Sequence, residues 1–261
     1  MILQDFHIHS ITSDGKNTLE DIVKAGIDLK LQKIGFSDHG YTEFDLSYCV
    51  PLDRLQEYKE EVKRLKSKYK SKIDIYLGIE MDYYSDISKD DFDYIIGSCH
   101  YVYKDNKYLS IDYKKEYTIN FVKEYYQNDY LLFAEDYYNN VADIVNKTGA
   151  DIIGHFDLIT KYNENNELFD MRGEKYLSIA RNAIDKLISY NKPFEVNTGA
   201  ISRGYRTNAY PDLPLLEYIY KRGGKVILSS DSHSKDNLCY KFDEYENLIK
   251  KIGFKDYLFK I

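Results

Sequence analysis

Apolar and polar positions divide the chain into two kinds of segment that take turns. Short runs rich in β-branched and aromatic residues occur at Ile2 to His9, Ile34 to Asp38, Ile73 to Met81, Tyr94 to His100, Asp151 to Phe156, Phe194 to Asn197 and Val226 to Asp231. Such runs suit strands buried on both faces. Between them apolar residues recur at helical spacing. The helical stretches are TLEDIVKAGIDL from Thr18 with Asp21 in the capping-box position, LDRLQEYKEEVKRLKSKYK from Leu52, FAEDYYNNVADIVNKTG closing on Gly149 as C-cap, EKYLSIARNAIDKLISYN, and LPLLEYIYKRGG.

Strands alternating with helices predict a parallel sheet with crossover helices, and about seven such units favour an α/β barrel. An open doubly wound sheet is the alternative the pattern leaves. The chain has 261 residues and four prolines, with no repeat or linker to mark a seam, so one domain over residues 1–261 is expected.

Charge and cysteine content narrow the function. Lys and Arg total 36 against 43 acids, a net charge of −7 that offers no basic field to a nucleic acid or an anionic membrane. No leader pattern or membrane-length apolar run is evident, so a cytoplasmic protein is expected. Cys49, Cys99 and Cys239 are odd in number and lack the spacing of a zinc or redox motif, so they read as reduced structural residues.

All six histidines fall at or just past the downstream end of a predicted strand: His7, His9, His39, His100, His155 and His233. In a parallel barrel those ends share one face, where the βα-loops build the site. Asp14, Asp38, Glu80, Asp157 and Asp231 accompany them. Strand alternation points His7 and His9 one way and Phe6 and Ile8 the other, and likewise pairs Asp231 with His233. By the same alternation Asp38 turns away from His39 as a capping or supporting residue, and Cys99 turns from His100 into the core. Mixed imidazole and carboxylate sets suit zinc, manganese or iron, and this many ligands predict more than one ion.

The motifs HIHS, SDHG, GIEMDY, GSCHYV, GHFDL, EVNTGA and SSDSH, in this order, resemble the polymerase and histidinol phosphatase (PHP) family across essentially the whole chain, in its histidinol-phosphate phosphatase branch. The resemblance implies a distorted (β/α)7 TIM-like barrel with three divalent ions. It assigns His7, His9, Asp231 and a bridging Glu80 to the first ion, Glu80, His100 and His155 to the second, and His39, His233 and Asp14 to the third. It implies hydrolysis of L-histidinol phosphate, in histidine biosynthesis. Metal chemistry then makes a hydroxide bridging the Glu80-linked ions the expected nucleophile, with water on the third ion, or the Asp231 and His233 region, protonating the leaving oxygen.

A phosphate clamp is expected from Arg203, which lies nearest to where the branch places an arginine, with Arg206 and Lys161 as further basic candidates. Histidinol carries an amine and an imidazole, which an acid at the mouth would recognise; Glu43, Asp45 and Asp82 follow strand ends. A small phosphorylated metabolite is thus the expected partner. The alternatives are another small phosphate ester, such as a nucleotide or sugar phosphate, a nuclease module, or a metal-binding protein without activity. The acidic charge and modest length disfavour the nuclease.

Overall fold

The computed structural model describes residues 3–260; Ile2, where the first predicted strand opens, lies outside them. The strands are β1 (Gln4–Asp5), β2 (Lys33–Phe36), β3 (Asp74–Asp82), β4 (Tyr94–Ser98), β5 (Tyr101–Lys104), β6 (Lys107–Ser110), β7 (Ile152–Ile153), β8 (Pro193–Asn197) and β9 (Lys225–Ser229). Seven of them form one sheet in the order β1-β2-β3-β4-β7-β8-β9, every pairing parallel. A parallel bridge between Ile8 and Ser232, with His9 N donating to Ser232 O at 2.9 Å and Ser232 N to His7 O at 3.1 Å, brings the first strand's continuation against the last. The order never reverses, as it would in a doubly wound sheet. The result is a nearly closed (β/α)7 barrel.

The helices are α1 (Leu19–Asp28), α2 (Leu55–Tyr69), α3 (Lys115–Tyr126), α4 (Tyr130–Thr148), α5 (Glu174–Ile188), α6 (Gly199–Ser202), α7 (Leu213–Lys221) and α8 (Phe242–Ile252). Thr18 caps α1 by accepting from Asp21 N at 3.1 Å, and Gly149 ends α4 at φ +70°, as their sequence positions predict. Asp129 starts α4 at Tyr130, upstream of the expected Phe133, by accepting from Leu131 N and Leu132 N. No helix among the described residues is long and apolar enough to cross a membrane.

Tyr94 and Ile96 of β4, Ile152 of β7, Ile227 of β9 and Phe6 just past β1 form one buried cluster, so they fill the barrel interior. Burying each such side chain contributes about 1.5–3 kcal/mol. Gly35 and Gly78 leave room for the Tyr94 ring: a Cβ would come within 2.4 Å of its hydroxyl at Gly35 and within 2.2 Å of Cζ at Gly78. Tyr94 donates to Phe6 O at 2.6 Å and Phe36 O at 3.0 Å, joining strands across the barrel floor. Outside the sheet, α1 and α2 pack through Ile22, Val23, Tyr58, Val62 and Leu65, while α4, α5 and α7 cover the other flank.

Two expectations need correction. Phe6 joins the interior cluster and Ile8 the outer one, so they do not share a face; the regular ladder stops at Asp5, and residues 6–9 escape strict alternation. The sequence pattern also left the β5–β6 hairpin and helices α3 and α8 unassigned. The hairpin turns on Asp105 and Asn106, at φ +48° and +62°, the left-handed conformation that two-residue hairpins require. All three cysteines are free, and Cys99 is buried.

Candidate metal centre

Five imidazoles surround the Glu80 carboxylate. Oε2 lies 2.9 Å from His39 Nδ1, 3.2 Å from His7 Nε2 and 3.6 Å from His9 Nε2. Oε1 lies 3.0 Å from His155 Nε2 and 3.5 Å from His100 Nε2. The parallel register produces this meeting: Glu80 is on β3, His39 bridges to it from the end of β2, and the others follow β1, β4 and β7. The sixth imidazole, His233, sets Nε2 3.2 Å from Asp14 Oδ2 and Nδ1 3.5 Å from Asp231 Oδ1.

Asp231 is held at φ +46°, in the left-handed region that few residues with a side chain other than Asp and Asn adopt. Gly199 allows α6 to lie against it, since a Cβ there would come within 2.7 Å of Asp231 Cβ.

Ligand-capable atoms fall into three overlapping groups: His7, His9 and Glu80; His39, Glu80 and His100; and His9, Asp14, His39 and His233, each mutually within 4.8 Å. His39 thus sits with the Glu80 pair as well as with Asp14 and His233. His155 and Asp231 flank these groups, the latter with Oδ1 3.3 Å from His9 Nε2 and Oδ2 3.0 Å from Arg203 Nη2.

The donor set fits divalent cations. His7 Nε2, both nitrogens of His9 and His155 Nδ1 are buried without a hydrogen-bond partner. A buried polar atom left so costs about 1–3 kcal/mol, which a bound cation offsets for those that face it. Burial and the nearby His233 and His39 push His9 down to about 3, leaving it neutral as a ligand must be. Burial opposes charge on His7, yet Glu195, Glu80 and Asp231 raise it well above its usual value. The acids around His7 therefore favour a positive charge there, which a cation bound at Nε2 would supply in place of a proton. Burial likewise disfavours ionised Glu80 and Asp231, but their cationic neighbours, led by His7 for Glu80 and Arg203 for Asp231, hold both well below the usual carboxylate range.

Carboxylates behind the rings orient them. Asp82 Oδ2 accepts from His100 N at 2.7 Å and lies 3.2 Å from His100 Nδ1. Glu195 Oε1 lies 2.7 Å from His7 Nδ1. Asp38 accepts from Ser10 N at 2.7 Å and from Ser13 N at 3.3 Å, fixing the loop that carries Asp14.

The centre forms the floor of a cavity of about 1020 Å³. Arg203 and Lys161 are on its wall, as are Asp45 and Asp112, together with Phe44, Tyr48, Tyr101 and Tyr108, the Tyr48 ring 4.9 Å from that of His39. Phe44 from the β2–α2 loop stacks on Tyr108 of the hairpin at 3.7 Å, joining two loops into that wall. Lys161 Nζ donates to Asp112 O at 2.8 Å and pairs with its carboxylate at 3.2 Å.

Three residues read as substrate-binding candidates lie elsewhere. Arg206 is drawn beneath the wall, its guanidinium 4.7 Å from the Tyr210 ring centroid and donating to Thr160 Oγ1 at 2.5 Å, with Asp212 at 3.8 Å. Glu43 is exposed and off the wall. Asp82 is committed to His100. Sequence reasoning gave no role to Glu195 or Asp112. Glu195 had a signal, a lone acid inside the apolar strand PFEVN; Asp112 had none, because the unassigned hairpin delivers it.

A protein of Schizosaccharomyces pombe named "Probable histidinol-phosphatase" is 30% identical over 95% of this chain and 86% of its own. The crystal structure of histidinol phosphate phosphatase from Lactococcus lactis subsp. lactis, complexed with zinc, L-histidinol and phosphate, matches at 25% identity and TM-score 0.69 over 97% of this chain and 95% of that one. A Listeria monocytogenes chain shares the fold at TM-score 0.78 and 18% identity, over 93% of this chain and 99% of its own. Residues 5–199 match the model of the PHP domain, a span holding every candidate ligand except Asp231 and His233. The chain belongs to the PHP domain family.

Proposed function

We propose that this protein is a cytoplasmic histidinol-phosphatase that uses three divalent ions to hydrolyse L-histidinol phosphate to L-histidinol and phosphate. The observation that carries the reading is the meeting of six imidazoles with Glu80, Asp14 and Asp231 at the floor of a cavity whose wall bears Arg203 and two acids. His7, His9, Asp231 and Glu80 would hold the first ion, Glu80, His100 and His155 the second, and His39, His233 and Asp14 the third. Zinc is the first metal to test, because the Lactococcus lactis relative is complexed with it; manganese and iron suit the same donors. Bound there, such ions neutralise phosphoryl oxygens and acidify a water.

The chain's own groups do the rest. Arg203, anchored by Asp231, presents its guanidinium to an outer phosphoryl oxygen, and Lys161 adds charge from the neighbouring loop. Asp231 is held ionised by Arg203 and its imidazole neighbours, and that charge anchors the Arg203 guanidinium at the phosphate. His233 Nδ1, 3.5 Å from Asp231 Oδ1, orients that carboxylate. Asp45 and Asp112 face the amine and imidazole of the substrate, and the aromatic wall covers its carbon skeleton.

The test is hydrolysis of L-histidinol phosphate beside a panel of nucleotide, sugar and aryl phosphates, using zinc-reconstituted protein and a His9→Ala control. L-histidinol phosphate should lead in kcat/KM, and His9→Ala should be inactive. Comparable rates across the panel would overturn the substrate assignment.

A further inference from the structure

Glu195 sits on β8, away from the cavity wall and wholly buried. Its two oxygens serve different histidines. Oε1 lies 2.7 Å from His7 Nδ1, while Oε2 accepts from the backbone N–H of His155 at 3.0 Å and from Asn197 Nδ2 at 3.1 Å. The far sides of both rings face Glu80: His7 Nε2 is 3.2 Å from Oε2, and His155 Nε2 is 3.0 Å from Oε1.

A buried carboxylate is costly unless its charge is met. Among the described residues no Lys or Arg lies within 4.0 Å of Glu195, and His7 is its ion-pair partner. Its charge therefore acts through the imidazole on whatever lies beyond Nε2. Accepting the Nδ1 proton also fixes the tautomer, leaving the Nε2 lone pair free to bind a cation.

We infer that Glu195 is the positioning residue for the Glu80-linked pair of metal sites, setting His7 for one ion and His155 for the other through a single carboxylate. The inference rests on the metal reading above. It separates the sites: His39, His233 and Asp14 make no contact with Glu195, so the third site should be indifferent to it.

Glu195→Gln is the sharp variant. An amide of the same shape offers one acceptor, so it serves either His7 or the His155 N–H; turned the other way, its NH2 group meets His7 Nδ1 and favours the wrong tautomer. Zinc affinity of the whole protein, read by competition with a chromophoric chelator, should fall roughly 10–100-fold at two sites and stay unchanged at the third. The melting temperature of the chelated variant should stay near that of wild type.

Unchanged affinity at all sites, or equal weakening at all of them, would overturn the role. If the variant does not fold, zinc-loaded wild type decides by imidazole nitrogen NMR. His7 should be metal-bound through Nε2, with a downfield Nδ1–H resonance; binding through Nδ1 would overturn the role. Wild-type protein that binds no zinc would overturn the metal reading itself and this inference with it.

Discussion

His9 Nε2 lies 3.3 Å from Asp231 Oδ1, across the seam where the chain's first strand meets its last. Residues 222 positions apart thus meet side by side, and the barrel's closure is what joins them. Asp231→Asn keeps the shape and removes the charge that Arg203 and His7 share. It should lower kcat by at least roughly 10³-fold, with the far-UV circular dichroism of wild type. Retained activity would remove Asp231 from the chemistry.

Glu80 is the common neighbour of five imidazoles, so its loss should be felt at more than one ion. Glu80→Gln should reduce bound zinc by more than one equivalent, measured by elemental analysis after dialysis. Loss of a single equivalent would deny it a bridging place.

Arg203 and Arg206 lie close in sequence but in different surroundings. Arg203→Met should raise KM at least about tenfold, because the wall loses its guanidinium. Arg206→Met should leave KM unchanged and lower stability by about 3 kcal/mol, because Asp157 and Asp212 lose a buried cation. Kinetics and denaturant unfolding on both variants check the split; the reverse outcome would exchange their roles.

Asp112 should matter only to substrates that carry a cation. Asp112→Asn should raise KM for L-histidinol phosphate several-fold and leave KM for an aryl phosphate without a cationic group unchanged. Equal effects on both would assign Asp112 to the loop structure through Lys161.

Asp5 gives a pH signature. Burial raises it from the ordinary 3.8 to about 6. Between those values the folded protein binds more protons than the unfolded chain, so this group's contribution to stability falls as pH rises from about 4 to 6. In chelator, Asp5→Asn should therefore gain on wild type over that window, by up to about 3 kcal/mol, and the difference should be constant above it. A difference independent of pH would mean that Asp5 titrates normally in the fold.

The clustering of histidines and acids was legible because chemistry and topology left two independent traces. Histidines ended strands, and strands alternated with helices, so remote residues such as His9 and Asp231 could be placed on one rim. Individual directions were less legible. Phe6 and Ile8 part company where the ladder ends, and Arg206 is captured by acids from other loops. The hairpin escaped notice because its Lys and Tyr residues have no strong apolar face, yet it supplies Tyr108 and leads into Asp112. Glu195 was visible as a charge in a buried strand, but only its distances to His7 and His155 reveal what it holds.

The most direct test is the anomalous scattering of zinc in crystals of the loaded protein. Three peaks should appear, each about 2.0–2.2 Å from its ligands, two flanking Glu80 and the third among His39, His233 and Asp14. Peaks away from these residues, or none near Glu80, would contradict a trinuclear centre at the mouth of this barrel.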